Sequence, residues 1–179
     1  MANEAYTLWF TGLHGSGKST IAGRITKILK EQNIACELLD GDELRKTISS
    51  DLGYSIEERN EHMKRIADLC KKLNENGVMA IASVASPTEK SRDYARQTLK
   101  KMILVYVKCS LEVCAKRDVK GHYKKAQSKE QGFEHFMKVS SNFEEPKNPD
   151  IILNTDKESI EESVNKLIEK LKEKKILAL

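Results

Sequence analysis

A glycine-rich run near the start of the chain carries residue types that bind phosphate: Gly12-Leu13-His14-Gly15-Ser16-Gly17-Lys18-Ser19. Its spacing, Gly-x-x-x-x-Gly-Lys-Ser, is typical of loops that hold a nucleoside triphosphate. Glycines let successive backbone N–H groups point at one anion, the lysine neutralises charge on the β- and γ-phosphates, and the serine hydroxyl is a ligand for Mg²⁺. The residues predicted to bind the nucleotide are Gly12, His14, Gly15, Ser16, Gly17, Lys18, Ser19 and Thr20.

The residues on either side of this run predict a strand and a helix. Before it, the stretch 6–10 is rich in β-branched and aromatic residues, as a buried strand should be. After it, Ile21, Ile25, Ile28 and Leu29 recur at helical spacing. A helix that begins at the loop directs the positive end of its dipole toward the bound phosphates. The structural context that a phosphate-binding loop requires is therefore present.

Strands and helices alternate along the rest of the chain, which predicts an α/β fold: a parallel sheet of the P-loop NTPase type with helices on both faces. The predicted strands cover 6–10, 34–39, 78–84, 103–109 and 151–154, and the predicted helices cover 20–30, a short stretch ending near 50, 55–76, 88–101, 111–117 and 157–175. We predict a single domain over residues 1–179. Ligands of such sheets bind beyond the carboxyl ends of the strands, so the functional residues are expected there.

Composition restricts the class of protein. With 39% hydrophobic and 32% charged residues, the 179-residue chain fits one globular domain, and its net charge of +4 with 6% aromatic residues argues against a nucleic-acid partner. The longest apolar stretch, 78–85, is too short to cross a bilayer, and no secretory pattern opens the chain. We expect a cytoplasmic protein without a membrane partner, in which Cys36, Cys70, Cys109 and Cys114 are reduced thiols in or near the core.

Two carboxylates follow the second predicted strand, Asp40 and Asp42, with Gly41 between them. Near a triphosphate and Mg²⁺, such a pair can position the metal's water shell and orient an acceptor hydroxyl. We therefore predict catalytic roles for Lys18, Asp40 and Asp42. The alternative for Asp40 is that it caps the next helix, as an aspartate at that position commonly does.

Arginines come next along the chain, at Arg45, Arg59 and Arg65. Arg59 and His62 are three residues apart on the long predicted helix, so they share a face. Arginines directed into a site suggest a substrate that carries phosphate or another oxyanion, held by forked hydrogen bonds.

These motifs, taken together, resemble the adenylyl-sulfate kinase family over nearly the whole chain. The matching runs are Phe10-Thr11-Gly12-Leu13, Lys18-Ser19-Thr20, Leu39-Asp40-Gly41-Asp42-x-x-Arg45, Leu52-Gly53-Tyr54-Ser55, Arg59-Asn60-Glu61, Ser86-Pro87, Val107-Lys108-Cys109, Arg117-Asp118-x-Lys120-Gly121-x-Tyr123-x-Lys125-Ala126 and Pro149-Asp150-Ile151. Members of that family transfer the γ-phosphate of MgATP to the ribose 3′-hydroxyl of adenosine 5′-phosphosulfate. The resemblance implies the same reaction here, with ATP and Mg²⁺.

The resemblance also implies roles on the donor side. Ser19, and Asp40 through water, would hold Mg²⁺, while Arg117 and Thr155 would contact ATP. Residues 117–148 would form a mobile lid over the nucleotide. For the lysines from Lys120 onward, the alternative is a solvated run of charge.

On the acceptor side, the resemblance implies that Arg45 and Arg59 hold the 5′ anionic group and that Tyr54 packs on the base. Asp42, His62, Ser86, Lys120 and Phe136 complete the expected acceptor-binding set. Ser86 also matches a serine that some family members can carry phosphorylated, and a simple Ser-Pro turn after a strand is the preferred explanation of this match. The expected partners are small-molecule nucleotides, with a homodimer left open.

The chain departs from the family mainly in the acceptor pocket. His62 stands where the family has Asn, Lys64 replaces Arg, Thr88 replaces Tyr, and the segment 136–146 lacks the family's adenine-covering motif. A pocket changed in this way favours a different acceptor, and relatives in capsule biosynthesis phosphorylate cytidine diphosphoramidate. The alternatives are thus a cytidine diphosphoramidate kinase or a divergent adenylyl-sulfate kinase. A non-catalytic nucleotide sensor is the alternative from another class.

Overall fold

The computed structural model describes residues 5–118, 121–128 and 143–177. Within these residues, five parallel strands form one sheet in the order β2-β3-β1-β4-β5. The strands are β1 (Thr7–Thr11), β2 (Cys36–Asp40), β3 (Met79–Ser83), β4 (Met102–Lys108) and β5 (Ile151–Asn154). All pairings are parallel, so the carboxyl ends of the strands lie at one edge of the sheet. The predicted fold class is confirmed.

Helices connect the strands and cover both faces of the sheet. They are α1 (Lys18–Glu31), α2 (Gly41–Lys46), α3 (Ile56–Glu75), α4 (Glu89–Thr98), α5 (Leu111–Arg117), α6 (His122–Gln127) and α7 (Ile160–Glu173). A capping box begins α3, because Ser55 and Glu58 exchange hydrogen bonds with each other's backbone. Two details differ from the sequence prediction. The short helix α2 ends at Lys46 rather than near residue 50, and the polar segment after α5 contains α6, whose start is fixed by Asp118 accepting hydrogen bonds from two backbone N–H groups.

The two faces of the sheet bury separate cores because neighbouring side chains of a strand point to opposite faces. Leu8 and Phe10 of β1 pack with α1 and α7, whereas Trp9 between them packs with α3 and α4. The central strands β1 and β3 are buried along their whole length, as strands covered on both faces must be. The loops at the carboxyl edge are thereby held on a rigid base.

The four cysteines are free and buried. No helix in the described part of the chain is both long enough and apolar enough to cross a membrane. Lys120, Phe136, half of the predicted lid (119–120 and 129–142) and residues 136–142 of the segment 136–146 lie outside the described residues.

Candidate active site

A cavity of about 980 Å³ opens at the carboxyl edge of the sheet. This volume is at the upper end of the range typical of small-molecule sites. The predicted site residues that line it are His14, Gly15, Gly17, Lys18, Ser19, Thr20, Asp40, Asp42, Arg45, Tyr54, Arg59, His62, Arg117 and Thr155. Gly12 and Ser16 belong to the same loop but are buried and do not line the cavity.

The phosphate loop between β1 and α1 requires glycine at specific positions. Gly12 and Gly15 have φ angles of 149° and 79°, which L side chains rarely adopt. A Cβ at Gly12 would lie 2.5 Å from the Val107 carbonyl oxygen, and one at Gly15 would lie 2.8 Å from that of Cys114. Both neighbours are backbone atoms and cannot swing away. The loop is therefore fixed by conformation and close packing together.

Lys18 begins α1 and folds back over the loop. Its Nζ donates hydrogen bonds to the carbonyl oxygens of Gly12, at 2.9 Å, and Leu13, at 2.7 Å. Gly17 is the N-cap of the helix and has no capping side chain, so the first N–H groups of α1 face the cavity without a side-chain acceptor at that position. The Lys18 ammonium and the N-terminus of α1 thus lie at the same place, and this arrangement is suited to binding phosphate.

Ser19, Asp40 and Ser83 bring three oxygen-bearing side chains together beside the loop. The Ser19 hydroxyl donates to Asp40 Oδ2 at 3.1 Å and lies 3.1 Å from the Ser83 hydroxyl. Carboxylate and hydroxyl oxygens are ligands that Mg²⁺ accepts, so this group fits a magnesium nucleotide. Ser83 was not among the predicted residues. It pairs in register with Asp40 on the neighbouring strand, and this long-range pairing is not visible in a local motif.

Asp40 also caps α2, which was the alternative explanation for an aspartate at this position after the strand. Its Oδ1 accepts hydrogen bonds from the backbone N–H groups of Asp42, at 2.9 Å, and Glu43, at 3.4 Å. Its Oδ2 remains directed to Ser19. The two interpretations are compatible, because the two carboxylate oxygens have different partners.

Two arginines and one tyrosine form the opposite wall. The guanidinium carbons of Arg45 and Arg59 lie 5.2 and 5.3 Å from the centre of the Tyr54 ring. Arg45 donates to the Gly53 carbonyl at 2.7 Å, and Arg59 donates to the Tyr54 carbonyl at 3.0 Å. Tyr54 itself is 47% exposed, so its ring is available for contact with a ligand.

The positive charges of the Arg45 and Arg59 guanidinium groups repel each other. Burial, together with the positive charge of Arg45, lowers the pKa of Arg59 to about 10. Burial is also the main cause that lowers the pKa of Arg45. Both side chains remain charged at neutral pH, and an anion between them would relieve their repulsion. The wall is therefore suited to an anionic group.

His62 lines the cavity but is committed to its protein neighbours. Its Nε2 lies 3.0 Å from the Gly41 carbonyl, and its Nδ1 lies 2.8 Å from the Ser49 hydroxyl. Because a carbonyl only accepts, Nε2 carries the proton and Nδ1 accepts from Ser49. Burial, and then the charge of Arg45, lowers the pKa of His62 to about 4, so the ring is neutral. Because His62 lines the cavity, its contact with the acceptor stays a prediction, and in the structure its ring supports the Gly41 carbonyl next to Asp40.

Ser86 is not brought to the cavity wall. Its side chain is fully buried, and its hydroxyl lies 3.0 Å from that of Ser91. The prediction that Ser86 binds the acceptor is corrected for this reason. The preferred explanation, a turn after the strand, agrees with its φ of 43° and with the neighbouring Pro87, which does line the cavity.

Thr155 and Arg117 close the donor side. The Thr155 hydroxyl donates to the Ser16 carbonyl at 2.6 Å, and its own carbonyl accepts a hydrogen bond from Arg117. Tyr123 of α6 is buried and donates to the His14 carbonyl at 2.9 Å. Its place in the matching run of residues 117–126 was a signal that it belongs near the loop. These contacts attach the segments after β4 and β5 to the phosphate loop.

Comparison with known proteins identifies relatives of the whole chain. Residues 4–154 match the protein-family model described as Adenylylsulphate kinase. The adenylyl-sulfate kinase of Halothermothrix orenii is 43% identical over 171 residues, which cover 96% of this chain and 91% of that protein. The adenylyl-sulfate kinase of Clostridium acetobutylicum is 43% identical over 178 residues, covering 99% and 88%.

A solved structure agrees with these sequence matches. The APS kinase of Mycobacterium tuberculosis, in complex with AMPPNP and APS, superposes with a TM-score of 0.88 at 35% identity, covering 94% of this chain and 98% of that one. A gluconokinase from Sinorhizobium meliloti, 15% identical with a TM-score of 0.64, shares the fold alone. The comparisons give no support to a cytidine nucleotide over adenylyl sulfate as the acceptor, or to a non-catalytic sensor.

Proposed function

The chain belongs to the adenylyl-sulfate kinase family and is an enzyme, and from this premise we propose that it transfers the γ-phosphate of ATP to the ribose 3′-hydroxyl of adenosine 5′-phosphosulfate. The observation that carries the proposal is one cavity with two unlike walls. The phosphate loop with Asp40 forms one wall, and the Arg45–Tyr54–Arg59 group forms the other. A donor phosphate and an anionic acceptor nucleotide would thus be held face to face.

On the donor wall, Lys18 and the N-terminus of α1 place positive charge at the β- and γ-phosphates. When ATP enters, the Lys18 ammonium exchanges its carbonyl partners for phosphate oxygens. The oxygens of Ser19 and Asp40 would hold the Mg²⁺ of the nucleotide. When bound, Mg²⁺ supplies further neutralisation of phosphate charge.

At the boundary between the walls, Asp40 orients the attacking hydroxyl and accepts its proton. The carboxylate is held by α2 through Asp42 and Glu43, so its position is set before substrates bind. Phosphoryl transfer depends mainly on positioning and charge, so an ordinary carboxylate suffices for this role. Asp42 lies beside it on the cavity wall.

On the acceptor wall, the guanidiniums of Arg45 and Arg59 bind the phosphosulfate group, and the exposed face of Tyr54 packs on the adenine. A phosphosulfate carries negative charge into a site where two half-buried cations repel each other. Binding therefore gains from both the hydrogen bonds and the relieved repulsion. The product would serve sulfate assimilation, and self-association of the chain as a dimer remains a prediction.

The proposal is tested by ATP consumption with candidate acceptors and separation of the nucleotide products. We expect phosphate transfer with adenosine 5′-phosphosulfate and a product blocked at the 3′ position. Cytidine diphosphoramidate, tested side by side, is the matched comparison, because the chain's departures fall in this pocket. Transfer to the cytidine compound with none to adenosine 5′-phosphosulfate, or ATP turnover that no acceptor changes, contradicts the proposal.

A further inference from the structure

Arg92 of α4 lies outside the cavity and joins the turn 85–88, which contributes to the cavity wall, to the segment 143–146. The side chain is fully buried. Its Nη1 donates to the Ser86 carbonyl at 2.6 Å, and its Nη2 donates to the Glu144 carbonyl at 2.6 Å. Glu89 balances the charge, accepting from Nε at 3.2 Å and Nη2 at 2.6 Å. A buried guanidinium with three acceptors holds its neighbours at fixed positions, because losing any bond leaves a buried polar group unpaired.

The first of these segments is the turn after β3, residues 85–88. Ser86 has a φ of 43°, a left-handed conformation that is uncommon for residues other than glycine. Such a conformation persists only where the surroundings hold it. Here the hydroxyl of Thr11 donates to the Ala85 carbonyl at 2.7 Å, and Arg92 holds the Ser86 carbonyl. The Ser86 carbonyl also accepts a longer hydrogen bond from Thr11, at 3.3 Å, so the turn depends on Thr11 and Arg92 together for its shape.

This turn forms part of the cavity wall on the side of the acceptor arginines. Ala85 and Pro87 line the cavity. The Thr88 hydroxyl donates to Asn60 Oδ1 at 2.7 Å, and Asn60 follows Arg59 on α3. Movement of the turn would change the position of Pro87 against the ligand. It would also change the position of the start of α3, which carries Arg59. The turn is thus connected to the acceptor wall through Thr88 and Asn60, and to the end of β1 through Thr11.

The second segment is 143–146, which is joined to the same turn. The Glu144 backbone N–H donates to the Pro87 carbonyl at 2.9 Å, and the Glu144 carboxylate accepts from the Glu89 backbone N–H at 2.6 Å. Because Glu89 is the first residue of α4, this carboxylate also lies at the positive end of that helix.

Aromatic packing completes the attachment of the segment. The guanidinium carbon of Arg92 lies 5.7 Å from the centre of the Phe143 ring. The Phe143 ring stacks on Tyr106 of β4, with 6.1 Å between ring centres. Arg92 thus contacts both the backbone of the segment, at Glu144, and its aromatic side chain, at Phe143.

We propose that Arg92 is a positioning residue for the acceptor nucleotide: by holding the carbonyls of Ser86 and Glu144 together, it fixes the Pro87 wall and thereby sets acceptor affinity without touching the substrate. This inference rests on the proposed kinase function. It assigns to Arg92 an effect on one of the two substrates, which a general role in folding would not produce.

The test compares Arg92→Lys with Arg96→Lys. Arg96 lies one turn further along α4 and likewise donates to a backbone carbonyl, but that carbonyl belongs to Asn148, which is neither in the turn 85–88 nor in the segment 143–146. The wild-type enzyme is first assayed with ATP and adenosine 5′-phosphosulfate. We expect Arg92→Lys to raise the KM of the acceptor by about tenfold while the KM of ATP stays within about twofold, and Arg96→Lys to leave both within about twofold.

A milder variant keeps the test decisive if Arg92→Lys does not fold. Glu144→Ala removes the carboxylate that accepts from Glu89 but keeps the backbone bonds, and we expect a rise in acceptor KM of about threefold at unchanged ATP KM. Equal effects on both substrates, an effect of Arg96→Lys equal to that of Arg92→Lys, or an unchanged KM in Glu144→Ala overturns the inference. Absence of acceptor phosphorylation by the wild type instead contradicts the proposed function, so the two failures are distinguishable.

Discussion

The donor half of the cavity, residues 12–20, is built from backbone, whereas the acceptor half, the group of Arg45, Tyr54 and Arg59, is built from side chains. In the donor half, positive φ angles and close backbone contacts fix the shape before any ligand arrives. In the acceptor half, long side chains meet around an exposed ring and bond to loop carbonyls. The first arrangement suits any phosphate, and the second can be changed one side chain at a time.

This difference explains why specificity can alter while chemistry is retained. A backbone cradle tolerates different side chains at its non-glycine positions, because the main chain does the binding. A wall of side chains changes its ligand when one residue changes. The departures named from the sequence are therefore expected to affect the acceptor more than the phosphate loop.

The largest effect is expected from Lys18→Ala, which tests whether the donor half carries the chemistry. Loss of the ammonium removes the charge closest to the transferring group, and we expect kcat/KM to fall by about 1000-fold or more. Lys30→Ala, an exposed lysine on the same helix, is the control and should be within about twofold of wild type. A fall of less than about tenfold in steady-state assays of Lys18→Ala contradicts its role.

The next effect concerns Asp40, where the two halves meet. Asn remains a good N-cap, so Asp40→Asn keeps α2 in place and removes only the charge. We expect kcat to fall by about 100-fold while the Kd of ATP changes by no more than about threefold.

Asp40→Ala separates capping from chemistry. It should show the same loss of kcat and, in addition, a loss of about 1 kcal/mol in the free energy of unfolding, because the cap of α2 is removed. Near-normal turnover in Asp40→Asn, measured by product formation, removes the catalytic role and leaves Asp40 as a cap.

A smaller effect, restricted to one substrate, is expected in the acceptor half. Arg59→Gln should raise the KM of the acceptor by about 30-fold, since a hydrogen bond to a charged group contributes about 2 kcal/mol. The KM of ATP should change little. Arg65→Gln on the same helix is the control, because Arg65 is paired with Asp51 at 2.8 Å and does not line the cavity. Equal kinetics of the two variants would show that Arg59 does not bind the acceptor.

The same contrast decides what could be predicted from sequence. The fold class and the phosphate loop were predicted correctly, because strand and helix patterns are local and glycine spacing specifies backbone shape. Ser83 was missed, since its contact with Ser19 arises from strand pairing between residues far apart in the chain. Ser86 was assigned to the acceptor although its side chain is buried away from the cavity. A motif identifies a position in the chain, but the direction of its side chain depends on the turn that carries it.

The smallest effect at neutral pH is expected from His62→Asn, which tests how His62 supports the Gly41 carbonyl next to Asp40. An asparagine amide can donate to the Gly41 carbonyl and accept from Ser49 as the neutral imidazole does.

His62 has a native pKa of about 4, below its ordinary value of 6.5, so between these values the unfolded chain binds a proton that the native protein does not. Stability contributed by this group is therefore complete above the upper value and is lost as the pH falls. At about pH 5 the loss is about 2 kcal/mol, because each pKa unit corresponds to about 1.4 kcal/mol. Chemical denaturation across this window should show a shallower fall of stability with decreasing pH in His62→Asn than in wild type. Parallel curves would mean that His62 does not remain neutral in the folded protein.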